Sequence, residues 1–349
     1  MIGVKSIGVR TPIIREGDDI EKIVCDSVIE NVELQDKDVI GITESVVARA
    51  FGLYATVDDM VESIKSHFKN ENNEILLIKP IYSRNRFSMI LKAFARSTHH
   101  LHIIMPEFDE VGNPSGVNQF TGVNIKEYYT ELCNKEHCEV TFYSTYDIYE
   151  ITDRRRDNAI PFYCGLHDYE QYKDAFNLTD VCKDRCAYGV LGSNKATEEK
   201  IKLFPFGPMA MNFVRNIQME IFKRTNKHVE VMIYGDGCFK DPVGGIWEFA
   251  DPVVSPAYTN GLIGKPNEIK IKAFADDKYE NLNGSELTDA IKNEISTKEQ
   301  NLVGNMNSQG TTPRRYVDLL GSLMDLTSGS GDKGTPVVVV QNYFTNFAS

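Results

Sequence analysis

At 349 residues the chain has material for about two domains with substantial cores, so neither disulfides nor a structural metal is needed to hold it together. A formal net charge of −12 argues against a protein that tracks a nucleic-acid backbone or an anionic membrane, and any anionic ligand must be met by local basic groups. The opening Met1–Arg10 lacks the apolar stretch of a signal peptide, and no apolar run is long enough for a membrane span. A soluble cytoplasmic protein is expected.

In chain order, a strand over Val4–Val9 leads through Arg10-Thr11-Pro12 and Gly17 to a helix over Asp18–Ile29, with Asp18 as its N-cap. A second strand, Val39–Thr43, runs straight into a helix over Glu44–Ala50. Helix N-termini beyond the carboxyl ends of strands present free amides to ligands. Ser45 is placed to touch a ligand oxygen, with Arg49 one turn on along the same face. Plain capping and a solvated Arg49 is the alternative. A helix over Val57–Lys69 and a strand over Ile75–Ile78 follow, then Ser83-Arg84-Asn85-Arg86 before a helix over Ser88–Arg96. Arg84 and Arg86 stand at a helix start, where the dipole disfavours cations. A substrate carboxylate or phosphate explains them, as do surface salt bridges.

A strand over His102–Met105 is preceded by His99 and His100. These histidines alternate in direction, so all three cannot address one metal, and structural or surface roles are expected. Residues 106–187 are rich in Tyr, Asp and Cys with weak periodicity, and read as an elaboration on a core made by residues 1–105 and 188–349. The seven cysteines are irregularly spaced, which fits reduced thiols; Cys164, His167, Cys182 and Cys186 match no standard zinc knuckle.

Beyond a helix over Met209–Arg224 and a strand over Val229–Tyr234 comes the strongest acidic cluster. Asp236 sits between Gly235 and Gly237, with Asp241 and Glu248 downstream. A carboxylate held in a sharp turn at a strand end suits a magnesium ligand, since phosphate chemistry needs only one or two protein carboxylates per ion. Asp236 is the first candidate, with Asp241 and Glu248 as supports; an ordinary Asp-Gly hairpin turn is the alternative. A strand over Glu268–Phe274 and a helix over Ser285–Ile295 follow. The last helix spans Pro313–Thr327, with Thr311 or Thr312 as N-cap and Pro313 at the first helical position.

That helix ends in the glycine-rich loop Ser328–Pro336, which enters a strand over Pro336–Gln341. It is no P-loop, because Lys333 precedes Gly334 and the loop closes a helix where a P-loop opens one. The helix dipole puts partial negative charge here and favours a cation, while a glycine C-cap before a core strand is the plain alternative. Arg314, Arg315 and Lys333 join Arg84 and Arg86 as groups able to meet an anionic acceptor. The alternation of apolar runs with helical patterns indicates an α+β (mixed α/β) fold, with mixed sheets and flanking helices.

These segments, in this order, resemble the coenzyme F-420 gamma-glutamyl ligases over roughly residues 1–60 and 186–342. The matching stretches are Thr11 to Ile20, the turn at Glu44, Ser45 and Arg49, Ser193-Asn194 with Pro205, Asp236 to Phe239, and Val317 to Val340. The resemblance implies a ligase that joins L-glutamate to a carboxylate of a cofactor-type acceptor through an acyl phosphate, using GTP or ATP with Mg2+ or Mn2+, as a homodimer. No nucleic-acid or membrane partner is expected. It implies nucleotide contacts at Arg10, Thr11, Pro12, Ser45, Arg49, Asn194, Gly329, Ser330, Gly331, Asp332, Gly334 and Thr335. Metal ligation falls to Asp236, Asp241, Glu248 and Asp332, with Asp236 and Lys333 as catalytic groups; the basic residues Arg84, Arg86, Arg314 and Arg315, read from the sequence itself, are expected towards the acceptor. Folate-type glutamylation and a silent nucleotide-binding homologue are the alternatives. Three positions depart from the family. Leu191 and Ser330 stand where metal-binding carboxylates are usual, and Glu44 replaces a hydroxyl residue; Asp325 or Asp332 could stand in for a missing carboxylate.

Overall fold

A computed structural model describes residues 3–70, 72–81, 87–105, 107–108, 116–117, 122–144, 151, 158–164, 172, 174–236, 239–240, 247–248, 253–302, 304–305, 314–329 and 331–349. The first half runs β1 (Lys5–Val9), α1 (Ile20–Asn31), β2 (Val39–Thr43), α2 (Glu44–Ala50), β3 (Tyr54–Thr56), α3 (Val57–Lys65), β4 (Glu74–Ile78), α4 (Ser88–Ser97), β5 (His100–Ile104), α5 (Ile125–Lys135) and β6 (Glu139–Tyr143). Next come β7 (Ala159–Tyr163), β8 (Phe176–Asn177), β9 (Asn194–Thr197), β10 (Lys200–Lys202), α6 (Pro208–Thr225), β11 (Glu230–Asp236), β12 (Phe239–Lys240), β13 (Trp247–Glu248) and β14 (Val253–Tyr258). The chain closes with α7 (Gly284–Thr297), α8 (Tyr316–Ser328) and β15 (Val337–Gln341). Among the described residues no helix is long and apolar enough to cross a membrane.

The chain divides into two units. The first takes residues 1–13, 20–43 and 211–349; the second takes residues 14–19 and 44–210.

In the first unit a mixed five-stranded sheet has the order β1-β15-β2-β11-β14, with β2 parallel to β11 and the remaining pairs antiparallel. Val337 to Val340 are all fully buried, an unbroken apolar run as a strand covered on both faces requires. On one face Val317, Leu320 and Met324 of α8, at helical spacing, pack with Val39, Met232, Tyr234, Val338 and Val340. Met324 packs so close that a Cβ on Gly41 would lie 2.1 Å from its Sδ, and a larger residue there would have to displace that buried side chain. Helix α1 lies against β1 and β15, burying Ile20, Val24, Cys25 and Val28, and is tied to α6 by Arg224–Asp26 (2.8 Å) and Asn216–Glu21 (2.9 Å).

The second unit holds a parallel sheet of order β6-β5-β4-β7-β8 and a small antiparallel sheet, β3-β10-β9. Ile75, Leu77, Leu101 and Ile103 pack with residues of α3, α4 and α5 in the larger core. Leu76, Ile78 and Ile104 belong to a separate, smaller cluster with Tyr163 and Tyr172, as alternation across a strand demands. Helix α3 opens on a capping box: Thr56 Oγ1 accepts from Asp59 N (3.1 Å), while Asp59 Oδ2 accepts from Thr56 N (2.7 Å).

Several expectations change. The segment 106–187 does not stand apart from residues 74–104, because β6 and β7 hydrogen-bond to β5 and β4 in one sheet. In β7 the weak periodicity has a reason: the strand is buried almost throughout and has little polar side to alternate with, while β6 is a half-exposed edge strand. Glu268–Phe274 alternates like a strand, yet it forms a helical turn at Ile271–Ala273 and a π-helical turn at Phe274–Lys278. Ile269 and Phe274 pack with Ile291 and Ile295 of α7, and that tertiary contact overrides the local pattern. Helix α8 starts at Tyr316 behind Arg315, leaving Pro313 ahead of the helix, and Thr311–Pro313 lie outside the described residues. Asp18 caps no helix, since α1 begins at Ile20; its carboxylate accepts from Arg15 N (2.6 Å) within the preceding turn.

Candidate functional site

One edge of the first unit's sheet collects most of the residues singled out at the chain ends. Strand β15 runs antiparallel to both β1 and β2, so it starts where they finish: Val337 faces Val9 and Ile42, and Thr43 N donates to Pro336 O (3.0 Å). Strand β11 is parallel to β2, with Tyr234 opposite Thr43, which carries Asp236 past the same edge. Arg10, Thr11, Pro12, Asp236 and the loop before Val337 therefore share one end of one sheet. That is where strand-end backbone and a turn can hold a ligand.

The loop itself is built by its glycines. Gly329, at φ 61°, closes α8 by donating to Asp325 O (3.0 Å). Thr335 Oγ1 donates to Ser328 O (3.0 Å), and Gly8 admits that threonine, since a Cβ there would sit 3.3 Å from Thr335 Cβ. Gly331–Lys333 forms one exposed 3-10 turn, and the Lys333 side chain folds back over Gly329. Asp332, an exposed carboxylate, is a hard oxygen donor of the kind magnesium or manganese takes. Gly334 stands between this turn and Thr335. Ser330, Asp241, Arg84 and Arg86 lie outside the described residues, as do the side chains of Asp236 and Glu248; the backbone of Glu248 pairs with Phe239 in the β12–β13 hairpin. Arg315 forms a two-pronged pair with Asp318 (2.8 and 2.7 Å), whose hydrogen bonds raise its pKa despite partial burial. Arg314, next to it, is partly exposed.

In the second unit, Ser45 and Arg49 do meet at a common surface. They line a pocket of about 530 Å³ with Arg15, Glu16, Tyr54, Ala196, Thr197, Lys200 and Lys202. The two α2 residues are four apart and so share a helix face. Lys200 and Lys202 alternate on β10 around Ile201, whose side chain is fully buried, so both lysines project to the same side. Lys202 Nζ donates to Ser45 Oγ and lies 3.7 Å from Glu44, which is itself buried; Lys200 Nζ sits 4.0 Å over the Tyr54 ring. Glu44 thus serves as counter-ion to Lys202. Four cationic side chains line the pocket against Glu16, and with Glu44 balancing Lys202 an excess of positive charge remains to suit an anion. Asn194, on β9, pairs with Lys202 in the same small sheet. Arg15, Lys200 and Lys202 were missed in the sequence, although the Lys-Ile-Lys alternation was there to read. Leu191, where the resemblance leads one to expect a carboxylate, is 7% exposed and part of this unit's apolar core.

A third cluster was not foreseen. Strand β5 starts at His100, two residues earlier than expected, so His100 and His102 share a face, and Glu74 on β4 meets them. Glu74 Oε2 lies 2.5 Å from His102 Nε2 and Oε1 lies 4.0 Å from His100 Nδ1. Burial alone would raise the Glu74 pKa, but the His102 hydrogen bond and the neighbouring imidazoles outweigh it and hold the carboxyl below its usual value. Among the described residues this is the group whose ligand atoms come within metal-binding reach. Cys164, Cys182 and Cys186 are buried free thiols; burial pushes Cys182 up to about 12, and His167 lies outside the described residues.

Comparison with known proteins bears on the whole chain. No curated protein matches significantly. The family model for F420-0:Gamma-glutamyl ligase matches residues 8–342, and that span takes in the sheet edge, the basic pocket and the parallel sheet alike. The chain belongs to the F420-0:gamma-glutamyl ligase family.

Proposed function

We propose that this protein is a metal- and nucleoside triphosphate-dependent ligase that adds L-glutamate to a carboxylate of an F-420-0-like acceptor. The observation that carries the reading is the gathering of Arg10, Thr11, Pro12, Asp236 and the loop Gly329–Thr335 at one end of the first unit's sheet. In this reading Asp236 and Asp332, with Asp241 and Glu248 in support, hold Mg2+ or Mn2+. Bound there, the ion would supply positive charge to the phosphoryl oxygens. Lys333 offers a further positive charge to the transferring group. Ser45 and Arg49, now joined by Arg15, Lys200 and Lys202, bind phosphate oxygens of GTP or ATP, with Asn194 beside them. Arg84, Arg86, Arg314 and Arg315 are the basic groups this reading assigns to the anionic acceptor.

The chemistry follows from what a carboxylate lacks. Its carbon resists attack by an amine until an oxygen becomes a leaving group. An acceptor carboxylate oxygen bonds to the terminal phosphorus and the bond to the nucleoside diphosphate breaks, giving an acyl phosphate. The glutamate amine then attacks the carbonyl carbon, loses a proton and expels inorganic phosphate. No protein nucleophile is needed, and positioning with charge stabilisation supplies the rate. A cytoplasmic homodimer completes the reading.

Purified protein incubated with Mg2+ or Mn2+, GTP or ATP, glutamate and a panel of F-420-type and folate-type acceptors tests it. Nucleoside diphosphate and phosphate should appear in equal amounts, and only when acceptor and glutamate are both present. The buried Leu191 favours a second reading, a silent nucleotide-binding homologue. Tight nucleotide binding with no turnover across the panel would replace the ligase by that homologue.

A further inference from the structure

We propose that Glu74, His100 and His102 form a binding site for one divalent first-row transition-metal ion, with zinc as the reference case. The inference is independent of the ligase reading, because its three residues belong to the parallel sheet of the second unit and to none of the groups assigned above.

The site follows from strand register. Strands β4, β5 and β6 are parallel neighbours, with Leu76 opposite His102 and His102 opposite Thr141. Alternation then places Glu74, His100, His102, Thr141 and Tyr143 on one face, while Ile75, Leu77, Leu101 and Ile103 enter the helix-covered core. Further along that face the strands are apolar, at Leu76, Ile78 and Ile104. A fully buried imidazole such as His102 is costly in that setting unless its nitrogens are engaged.

The distances suit an ion. One ligand atom from each residue lies within 4.8 Å of the others. Tetrahedral zinc at its usual bond lengths spaces ligand atoms about 3.3 Å apart. Glu74 reaches His102 through Oε2 (2.5 Å) and His100 through Oε1 (4.0 Å), so a small movement of its carboxylate sets one oxygen on an ion shared with both imidazoles. Glu74 is the natural group to move, since its side chain is 22% exposed and His102 is sealed.

The outer nitrogens supply a second, independent observation. His100 Nε2 lies 2.9 Å from Thr141 Oγ1, and His102 Nδ1 lies 3.1 Å from Tyr143 Oη. In this structure His102 Nε2–H donates to Glu74; an ion takes the place of that proton, while the hydrogen bonds to Thr141 and Tyr143 leave His100 Nδ1 and His102 Nε2 as the nitrogens facing it. Metal-binding histidines are oriented in this way, by a partner on the nitrogen that does not touch the ion. Beside the cluster a pocket of about 560 Å³, lined by Asn70, Asn72, Asn73, Glu74, His99 and Asn158, gives a hydrated ion access and room for a fourth ligand. Two imidazoles and one carboxylate select zinc, cobalt, nickel or iron over magnesium, which the oxygen-only acids of the first unit suit better.

Chelator-treated full-length protein is titrated with Co2+ and with Zn2+ in excess Mg2+, which keeps the oxygen-donor groups of the first unit occupied. One equivalent should bind, and the cobalt form should show visible ligand-field bands without the near-ultraviolet charge transfer that a thiolate ligand gives. His100→Ala and Glu74→Gln, both at partly exposed positions, should each weaken binding at least ~10-fold while leaving the melting transition intact. Asp236→Asn should bind as the parent does. Failure to take up an equivalent overturns the site, as does undiminished binding by His100→Ala, thiolate charge transfer, or loss of the ion in Asp236→Asn. Ligase activity enters none of these readouts, so this site and the ligase reading fail separately.

Discussion

The two sheets solve the same packing problem and arrive at opposite chemistry. In the first unit the mixed topology turns β15 against β1 and β2, and one sheet end gathers carboxylates and a glycine loop. In the second unit the parallel strands repeat one direction, and alternation gathers imidazoles on a face of the sheet. Oxygen donors at the first place suit hard cations, and nitrogen donors at the second suit borderline ones. Strand direction, more than composition, decides which side chains meet.

That contrast can be broken in order of expected effect. Asp236→Asn removes the leading carboxylate of the first unit and should cut metal-dependent turnover roughly 1,000-fold, at unchanged melting temperature, measured as nucleoside diphosphate release. Retention of full turnover would end its assigned role. Arg49→Ala, in the second unit's basic pocket, removes a charge-assisted contact and should raise the nucleotide KM roughly 10- to 100-fold with a smaller change in kcat. Equal KM values for parent and variant would remove Arg49 from the nucleotide site. Thr56→Ala takes away half of the α3 capping box and should destabilise the protein by about 1 kcal/mol, read from denaturant midpoints.

Acid separates the units in sign. Burial raises the Asp38 pKa in the first unit even though Gln341 and Gln35 donate to it, so the folded state there binds its proton more readily than the unfolded chain. Its stabilising effect is greatest below the ordinary carboxylate range and is lost as pH rises through the raised folded value. Asp59 in the second unit goes the other way. Its burial is outweighed by the Thr56 hydrogen bonds and the Arg185 charge, and its lowered pKa gives stability that is lost as pH falls through the folded value. Asp38→Asn should therefore make the dependence of stability on pH more positive between roughly pH 4 and the raised value, and Asp59→Asn should make it less positive below pH 4. Unfolding free energies measured across pH 3–6 would show both, and slopes unchanged from the parent would remove these groups from the account.

Much of the fold was legible. Glu44–Ala50 was read to the residue, and the strands at Val39–Thr43 and Val337–Gln341 were found as dense apolar runs, because burial on both faces leaves its mark in composition. The family was legible too, through the order of Thr11 to Ile20, Ser193-Asn194, Asp236 and the glycine loop. Less visible were pairings between distant segments. Glu74 and His102 are 28 residues apart with no motif joining them, and only a parallel register makes them neighbours. Lys200 and Lys202 resemble ordinary exposed lysines until Ile201 is seen to be buried.

The amino-acid sequence by itself determined the class of fold, the family, and the places where glycine and carboxylate punctuate strand ends, since local backbone freedom and apolar periodicity are written in neighbouring residues. Tertiary structure decided that residues 106–187 complete a sheet begun at residue 74, that Glu268–Phe274 is no strand, and that two histidines and a glutamate converge. Each of those depends on which strand lies beside which, and hydrogen bonding between strands is set by the assembled core, not by the order of residues along one of them.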